Sequence, residues 1–484
     1  MNAPCISREI AARFIDQEYM CPQSNKVLHT HPSPMMWRSY DGSAMDRWKK
    51  RSLVAMEKQL HDNLYLGIPF CIPTEPKRCG FCLFPTTDFR GKDQLRTYLG
   101  YLEREAELLG DVLKNDSLTS IYVGGGTPNL MRDEDYHLVM SIARTLYGSV
   151  PDHIEKTIEG IPQLFTRDKV DAIKKAGFNR VSMGVQQMSD RLIRYSGRRQ
   201  THQHVVDALG FFNDARLACN VDLIYGWPEQ AIDDMLHDLG ELVDFGVPHI
   251  THYQLNIAGL SSFSKAHRDV LPPIEEMIEM YRESVRYLSA HGYRQATVYD
   301  WERIGVCDDR FAFAGAEEYR YESHLRNFVQ IAGDQVVASH NMIGVGFAAI
   351  SYFPYTWPEI GGPNWCHMNL RSLDGYYSSL DKGLLPVEKQ FHYQPIDIKL
   401  SWLFQSMQEM KIDCRSYEVS FGSDVVSDFR PIWDELESRG WIRVSDQVIQ
   451  FIDLGRFHIP MLQALLSEAR LEEIRCQGAG EIRD

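Results

Sequence analysis

The sequence predicts an α/β fold: a partial, three-quarter TIM-type barrel of parallel strands, followed by a small, mainly helical C-terminal domain of winged-helix type. Three observations carry this expectation. From Tyr65 onward short apolar runs alternate with longer stretches of helical period, several of those stretches end at a glycine, and from about Ile396 the pattern changes to helix, helix, short hairpin, helix. Parallel strands need long crossovers, and right-handed crossovers repeated about six times curl a sheet into a barrel.

Taken in order, residues 1–62 read as an N-terminal arm, with "VLHTHPSPMMW" (27–37) as an irregular, aromatic and proline-containing segment. The barrel is expected over 63–300. Its strands are "LYLGIP", "SIYVGG", "KTIEG", "RVSMGV", "NVDLIYG" and "ITHYQLN", separated by helices such as "KDQLRTYLGYLEREAELLGDVL" and "THQHVVDALGFFNDAR", whose apolar residues recur at i, i+3 and i+4. Residues 301–395, with the Gly-rich "NMIGVGFAAISYF" and the Trp/Pro-rich "YTWPEIGGPNW", form a barrel extension and linking region; 396–484 form the C-terminal helical domain. The two aromatic-rich loops suit a planar ligand or ordinary loop packing equally.

Composition bounds the function. The chain has 484 residues, 44% of them hydrophobic, with 51 basic against 66 acidic side chains and a formal charge of -15. A polyanion meets net repulsion, and no local basic patch offsets it, so no nucleic-acid partner is expected. No run of 18 apolar residues occurs, and "MNAPCISREIAARF" lacks the pattern of a secretory leader, so no membrane partner and a cytoplasmic location are expected.

Seven of the ten cysteines, Cys5, Cys21, Cys219, Cys307, Cys366, Cys414 and Cys476, are scattered, whereas Cys71, Cys79 and Cys82 follow a C-x7-C-x2-C spacing. Three thiolates fill three positions of a [4Fe–4S] cluster and leave one iron open; zinc completed by a distant histidine, or inert thiols, also fit that spacing. The strand ends add context. Cys71 follows the first strand, the glycines of "VGGGTP" the second, Glu159 the third, Gln186 the fourth and Asp222 the fifth, with Arg198 nearby, all at the barrel end where such folds place chemistry. A carboxylate and a guanidinium clamp an amino acid's ammonium and carboxylate, and a second acid holds ribose hydroxyls.

"LYLGIPFC", "CGFCLF", "YVGGGTPNL", "TIEG", "GFNRVSMGVQQMSDRL", "SGRRQTH" and "VDLIYGWP" occur in this order. Together they resemble the radical S-adenosylmethionine superfamily, and within it the branch of oxygen-independent coproporphyrinogen III oxidase and its relatives, which include class C radical methyltransferases and haem chaperones. The resemblance runs from about Val27 to Glu473. It implies a [4Fe–4S] cluster on Cys71, Cys79 and Cys82, a first S-adenosylmethionine lined by Tyr65, Phe81, Gly125, Gly126 and Glu159, and a second molecule near Thr127, Gln186, Arg198 and Asp222. It places His29 and His31, in "HTHPSP", where the oxidase carries its substrate arm. It also implies a reducing electron donor such as flavodoxin or ferredoxin.

Three departures bear on the reaction. The family spacing is usually C-x3-C-x2-C; the oxidase has a fourth cysteine where Phe84 stands and a histidine where Gly67 stands. On these grounds the expected reaction is C-methylation, or a related one-carbon transfer, on a small unsaturated or aromatic ring. Coproporphyrinogen oxidation is the alternative. A haem carrier is a third reading, with His249, His252 and His367 as available ligands.

Overall fold

The structure is a computed structural model that describes residues 6–19, 31–42, 44–57, 60–256, 262–305, 329–332, 335–353 and 364–481. After helices α1 (Arg8–Tyr19) and α2 (Ala44–Glu57), strand β1 (Leu60–Ile68) starts the alternation. It continues through α3 (Lys92–Leu113), β2 (Ser117–Gly125), α4 (Asp135–Tyr147), β3 (Glu155–Gly160), α5 (Arg167–Lys175), β4 (Arg180–Gln186), α6 (His202–Asp214), β5 (Ala218–Tyr225), α7 (Ile232–Asp244), β6 (His249–Gln254) and α8 (Ile274–Ala290). Strands β1 to β6 pair in parallel in chain order, as the alternation predicts.

The period of two along each strand separates the faces. Leu64, Leu66, Ile121, Val123, Ile158, Val181, Met183, Val221 and Leu223 are buried in one apolar cluster with the helices. Residues of the other set meet across the barrel wall: Tyr65 pairs with Tyr122, Tyr122 with Thr157, Glu159 with Ser182, and Gly184 with Asp222. Tyr65, Tyr122, Glu159, Gly184 and Asp222 keep part of their surface accessible while their neighbours on both sides in sequence are buried. The barrel therefore encloses an open, polar interior.

The sheet continues past both barrel edges. The hairpin β7 (Tyr293–Gln295) and β8 (Asp300–Arg303) adds antiparallel to β6. On the other side β9 (Gln335–Gly346) runs parallel to β1, followed by antiparallel β10 (Ile350–Phe353), β11 (Trp365–Asn369) and β12 (Val387–His392), giving a fourteen-stranded sheet among the described residues. Glu105 of α3 ties this extension down. It is buried and accepts from Gly346 N (2.9 Å), Asn369 Nδ2 (2.6 Å) and the hydroxyl of Tyr376 (2.5 Å) in α9 (Leu373–Asp381). Nearby, the Tyr98 hydroxyl donates to Gly67 O and accepts from Phe347 N.

The C-terminal part comprises α10 (Pro395–Gln408), α11 (Arg430–Ser438), a three-stranded antiparallel sheet and α12 (Ile459–Glu481). Its apolar cluster joins Leu403, Met407, Trp433 and Leu462 to Ala11 and Ile15 of α1 and to Tyr352, Cys366 and Met368 of the extension. Met342 pairs with both Asn63 and Tyr352, and Tyr352 with Cys366, so the surface it covers is the inward face of the sheet continued beyond β1. The N-terminal arm is pinned there as well. His31 is 1% exposed, with Nε2 at 3.1 Å from Asp397 Oδ1, and Asp397 is gripped by Arg470 at 2.8 and 3.0 Å. His31 thus serves as an anchor and does not face the interior; His29 lies outside the described residues. Among the described residues no helix is long and apolar enough to cross a membrane.

Candidate functional site

The chain leaving β1 is stitched to the end of β2 by Gly126 N to Ile68 O (2.7 Å) and Thr127 N to Phe70 O (2.8 Å). This fixes where Cys71 stands. The following loop turns back through Arg78 and Cys79, both at positive φ (56° and 55°), and Cys79 N donates to Thr74 Oγ1 at 2.9 Å. Cys71, Cys79 and Cys82 are all partly buried free thiols. Burial pushes Cys71 up to about 11 and raises Cys82, and the neighbouring cysteines push in the same direction. Thr127 Oγ1 lies 3.5 Å from Cys71 Sγ, and Arg198 Nε lies 3.4 Å from Cys79 Sγ.

Without a metal, burial favours the protonated form of Cys71 and Cys82, and a bound metal centre reverses that preference. Among the described residues no three Cys, His, Asp or Glu side chains converge closely enough for a single ion. Three thiols on one loop are the donor set that a four-iron cluster with one open iron takes, whereas a structural zinc takes four protein ligands.

Beside the cysteines, β2 ends in three glycines. A Cβ on Gly126 meets Phe70 O at 2.5 Å, and Gly125 has φ 105° with the Tyr65 hydroxyl 2.9 Å from its Cβ position; only glycine fits here. Glu159 Oε2 accepts from Gly125 N (3.1 Å) and Oε1 from the Tyr122 hydroxyl (2.8 Å), while Tyr122 stacks on Tyr65 at 6.3 Å. Burial pushes the Glu159 carboxyl up to about 7, and those two donors pull it back only in part. Phe81 packs edge-on against buried Trp227 at 5.5 Å.

Across the interior, Gln186 has φ 70°, and Arg198 Nη1 donates to Gly184 O (2.6 Å) and Gln200 Oε1 (3.3 Å). Asp222 lies three residues before the end of β5 instead of at its tip and faces inward, where Asn220 Nδ2 donates to it at 2.7 Å. Burial raises its carboxyl to about 6, and its charge acts on Glu159. Thr127, expected beside Gln186 and Arg198, lies against Cys71. Two contributors escaped the sequence reading: Tyr122, which the alternation along β2 turns inward, and Thr74, for which no sequence signal exists.

The three available histidines are inside the fold. His249 bonds to Asp300 (3.0 Å) and Arg180 (2.8 Å), His252 is 5% exposed against Tyr225, and His367 is 3% exposed and stacked on Trp365. None is presented to a haem. Phe84 is 61% exposed, and a Cβ on Gly67 meets Phe347 O at 3.1 Å, so the oxidase's histidine has no room here unless the β9–β10 turn shifts.

Residues 72–242 match the Radical SAM superfamily. The chain is 24% identical over 421 residues to the oxygen-independent coproporphyrinogen III oxidase of Synechocystis sp., covering 83% of this chain and 84% of that one. With the enzyme of the same name from Pseudomonas aeruginosa the identity is 26% over 407 residues, covering 81% and 83%. The heme chaperone HemW of Escherichia coli is 27% identical over 234 residues, 48% of this chain and 60% of that one. The coproporphyrinogen III oxidase structure from Escherichia coli shares the fold, with a TM-score of 0.72 at 20% identity over 92% of this chain and 99% of that one.

These relatives correct the expectation of C-methylation. The proteins matched over four-fifths of both chains are coproporphyrinogen oxidases, the alternative reading. The reason is that most of the quoted motifs lie within residues 72–242, the stretch that matches the Radical SAM superfamily as a whole and does not separate the two reactions. Phe84 and Gly67 are two positions, against a similarity that extends over four-fifths of the chain.

Proposed function

Because the chain carries a radical SAM domain, and such a domain works with a [4Fe–4S] cluster and S-adenosylmethionine, we propose that it is an oxygen-independent oxidase of the coproporphyrinogen type, which converts propionate side chains of a reduced tetrapyrrole to vinyl groups. The observation that carries this reading is the extent of the similarity to the oxidases, 83% and 81% of this chain. The heme chaperone likeness covers half of this chain, and the buried histidines give it no added support.

When bound, the cluster and S-adenosylmethionine supply a radical that removes one hydrogen atom from the substrate. In balance, the side chain –CH2–CH2–COO⁻ becomes –CH=CH2 and CO2, giving up that hydrogen atom and one electron to an acceptor. In this proposal Cys71, Cys79 and Cys82 hold the cluster. Glu159, placed by Gly125 and Tyr122, receives the ammonium of the first S-adenosylmethionine beside Tyr65, Phe81, Gly125 and Gly126. Thr127, Gln186, Arg198 and Asp222 are assigned in this proposal to a second S-adenosylmethionine or the substrate.

The test is anaerobic reconstitution with iron and sulfide, reduction, and incubation with S-adenosylmethionine and coproporphyrinogen III. Expected products are 5'-deoxyadenosine, CO2 and a vinyl-bearing porphyrinogen, all abolished in Cys79→Ala. 5'-Deoxyadenosine formation with no CO2 and no vinyl product refutes the oxidase reading.

A further inference from the structure

The C-x7-C spacing has a structural correlate. We infer that the seven-residue loop between Cys71 and Cys79 acts together with the Gly197–Arg198 turn as a brace that holds the Arg198 guanidinium on the Cys79 sulfur and so raises the cluster's reduction potential. This rests on the radical SAM reading above.

The loop and the turn meet backbone to backbone. Gly197 has φ 67°, and a Cβ there falls 2.1 Å from Glu75 O and 2.9 Å from Glu75 N, so the middle of the loop occupies the space a side chain needs. Thr74 fixes the loop's return, accepting from Cys79 N (2.9 Å) and donating to Pro76 O (2.9 Å). A three-residue connection between the same cysteines has less chain with which to reach Gly197.

The turn is rigid as well. Buried Ser196 Oγ donates to Ile193 O (2.6 Å) and accepts from Arg198 N (3.4 Å). Gln200, 4% exposed, bonds Val185 O at 2.6 Å and offers Oε1 to Arg198 Nη1. With Nη1 held by Gly184 O, the guanidinium plane is set and Nε is left aimed at Cys79 Sγ, 3.4 Å away.

Among the described residues Arg198 bonds neutral carbonyl and amide oxygens, a hydroxyl and this sulfur, and no carboxylate. Reduction adds an electron to the cluster, and a nearby cation that donates to a ligand sulfur stabilises the reduced form more than the oxidised one. Arg198 is a positioning and tuning residue here; Thr74 supports it through the loop, and its hydroxyl also approaches Cys79 Sγ at 4.0 Å.

The test uses the full chain, reconstituted with iron and sulfide and titrated electrochemically under EPR without S-adenosylmethionine, so that lost cofactor contacts do not enter. Arg198→Gln is expected to lower the reduced-to-oxidised ratio at a fixed poise about tenfold, which is 59 mV for one electron. Arg198→Lys should recover part of it, and Thr74→Val should shift the potential less in the same direction. Arg198→Gln and Thr74→Val loading wild-type iron and titrating with the wild type overturns the inference. A shift in Arg198→Gln with none in Thr74→Val overturns the loop's part. If Arg198→Gln does not load, Thr74→Val decides alone: a shift supports the brace and no shift overturns it. A wild-type chain that takes up no cluster instead overturns the radical SAM reading, and the inference with it.

Discussion

Among the described residues Glu159 receives two hydrogen bonds and no compensating cation. Its carboxyl, pushed by burial to about 7, binds an ammonium only when ionised, so the affinity for S-adenosylmethionine should strengthen as pH rises through about 7. Equilibrium dialysis at pH 6, 7 and 8 measures this, and Glu159→Gln should weaken binding about tenfold and flatten the profile. The stability effect has the opposite direction. Between the ordinary carboxylate range and about 7 the folded state keeps a proton that the unfolded chain has released, so the ligand-free fold loses stability as pH rises across that window. At this scale the sequence was informative where spacing or strand alternation carried the message, as for Cys71, Cys79, Cys82 and Glu159. It was silent on Thr74 and on the Arg198–Cys79 contact, because both depend on how two loops distant in sequence meet.

The joint between α3, β9 and β11 shows the same division among elements. Three donors converge on Glu105, whose carboxyl burial pushes up to about 7 while Tyr376, Gly346 and Asn369 pull it down. Glu105→Gln places an amide donor among those donors and should cost about 1–3 kcal/mol, read from the urea midpoint at pH 8. β1 to β6 were readable because each is a short apolar run bounded by turn residues and followed by a helical repeat. β9 escaped. Its glycines break the strand pattern, yet Gly344 is required because a Cβ there meets Ile350 O at 2.3 Å. Its parallel partner, β1, lies far away in the sequence, and no local periodicity encodes such a pairing.

For the whole molecule, His31, Asp397 and Arg470 bind the N-terminal arm to the C-terminal domain. Burial opposes ionisation of Asp397, but hydrogen bonds from His31 and Arg470 hold its carboxyl below the ordinary range, so its contribution is present above that range and is lost as pH falls through the lowered value. Asp397→Ala leaves the Arg470 charge buried without its partner and should destabilise the fold by about 3–5 kcal/mol, with the arm cut first in limited proteolysis. The parallel register of β9 on β1 also governs the order of biogenesis. Gly346 sits beside Gly67, four residues before Cys71, so the strand that delivers the first cysteine lacks one flank until the ribosome has passed residue 346. Closing so long a loop comes late in folding. On the proposed ligand set, iron and sulfide would therefore enter late, once this flank of the strand has closed.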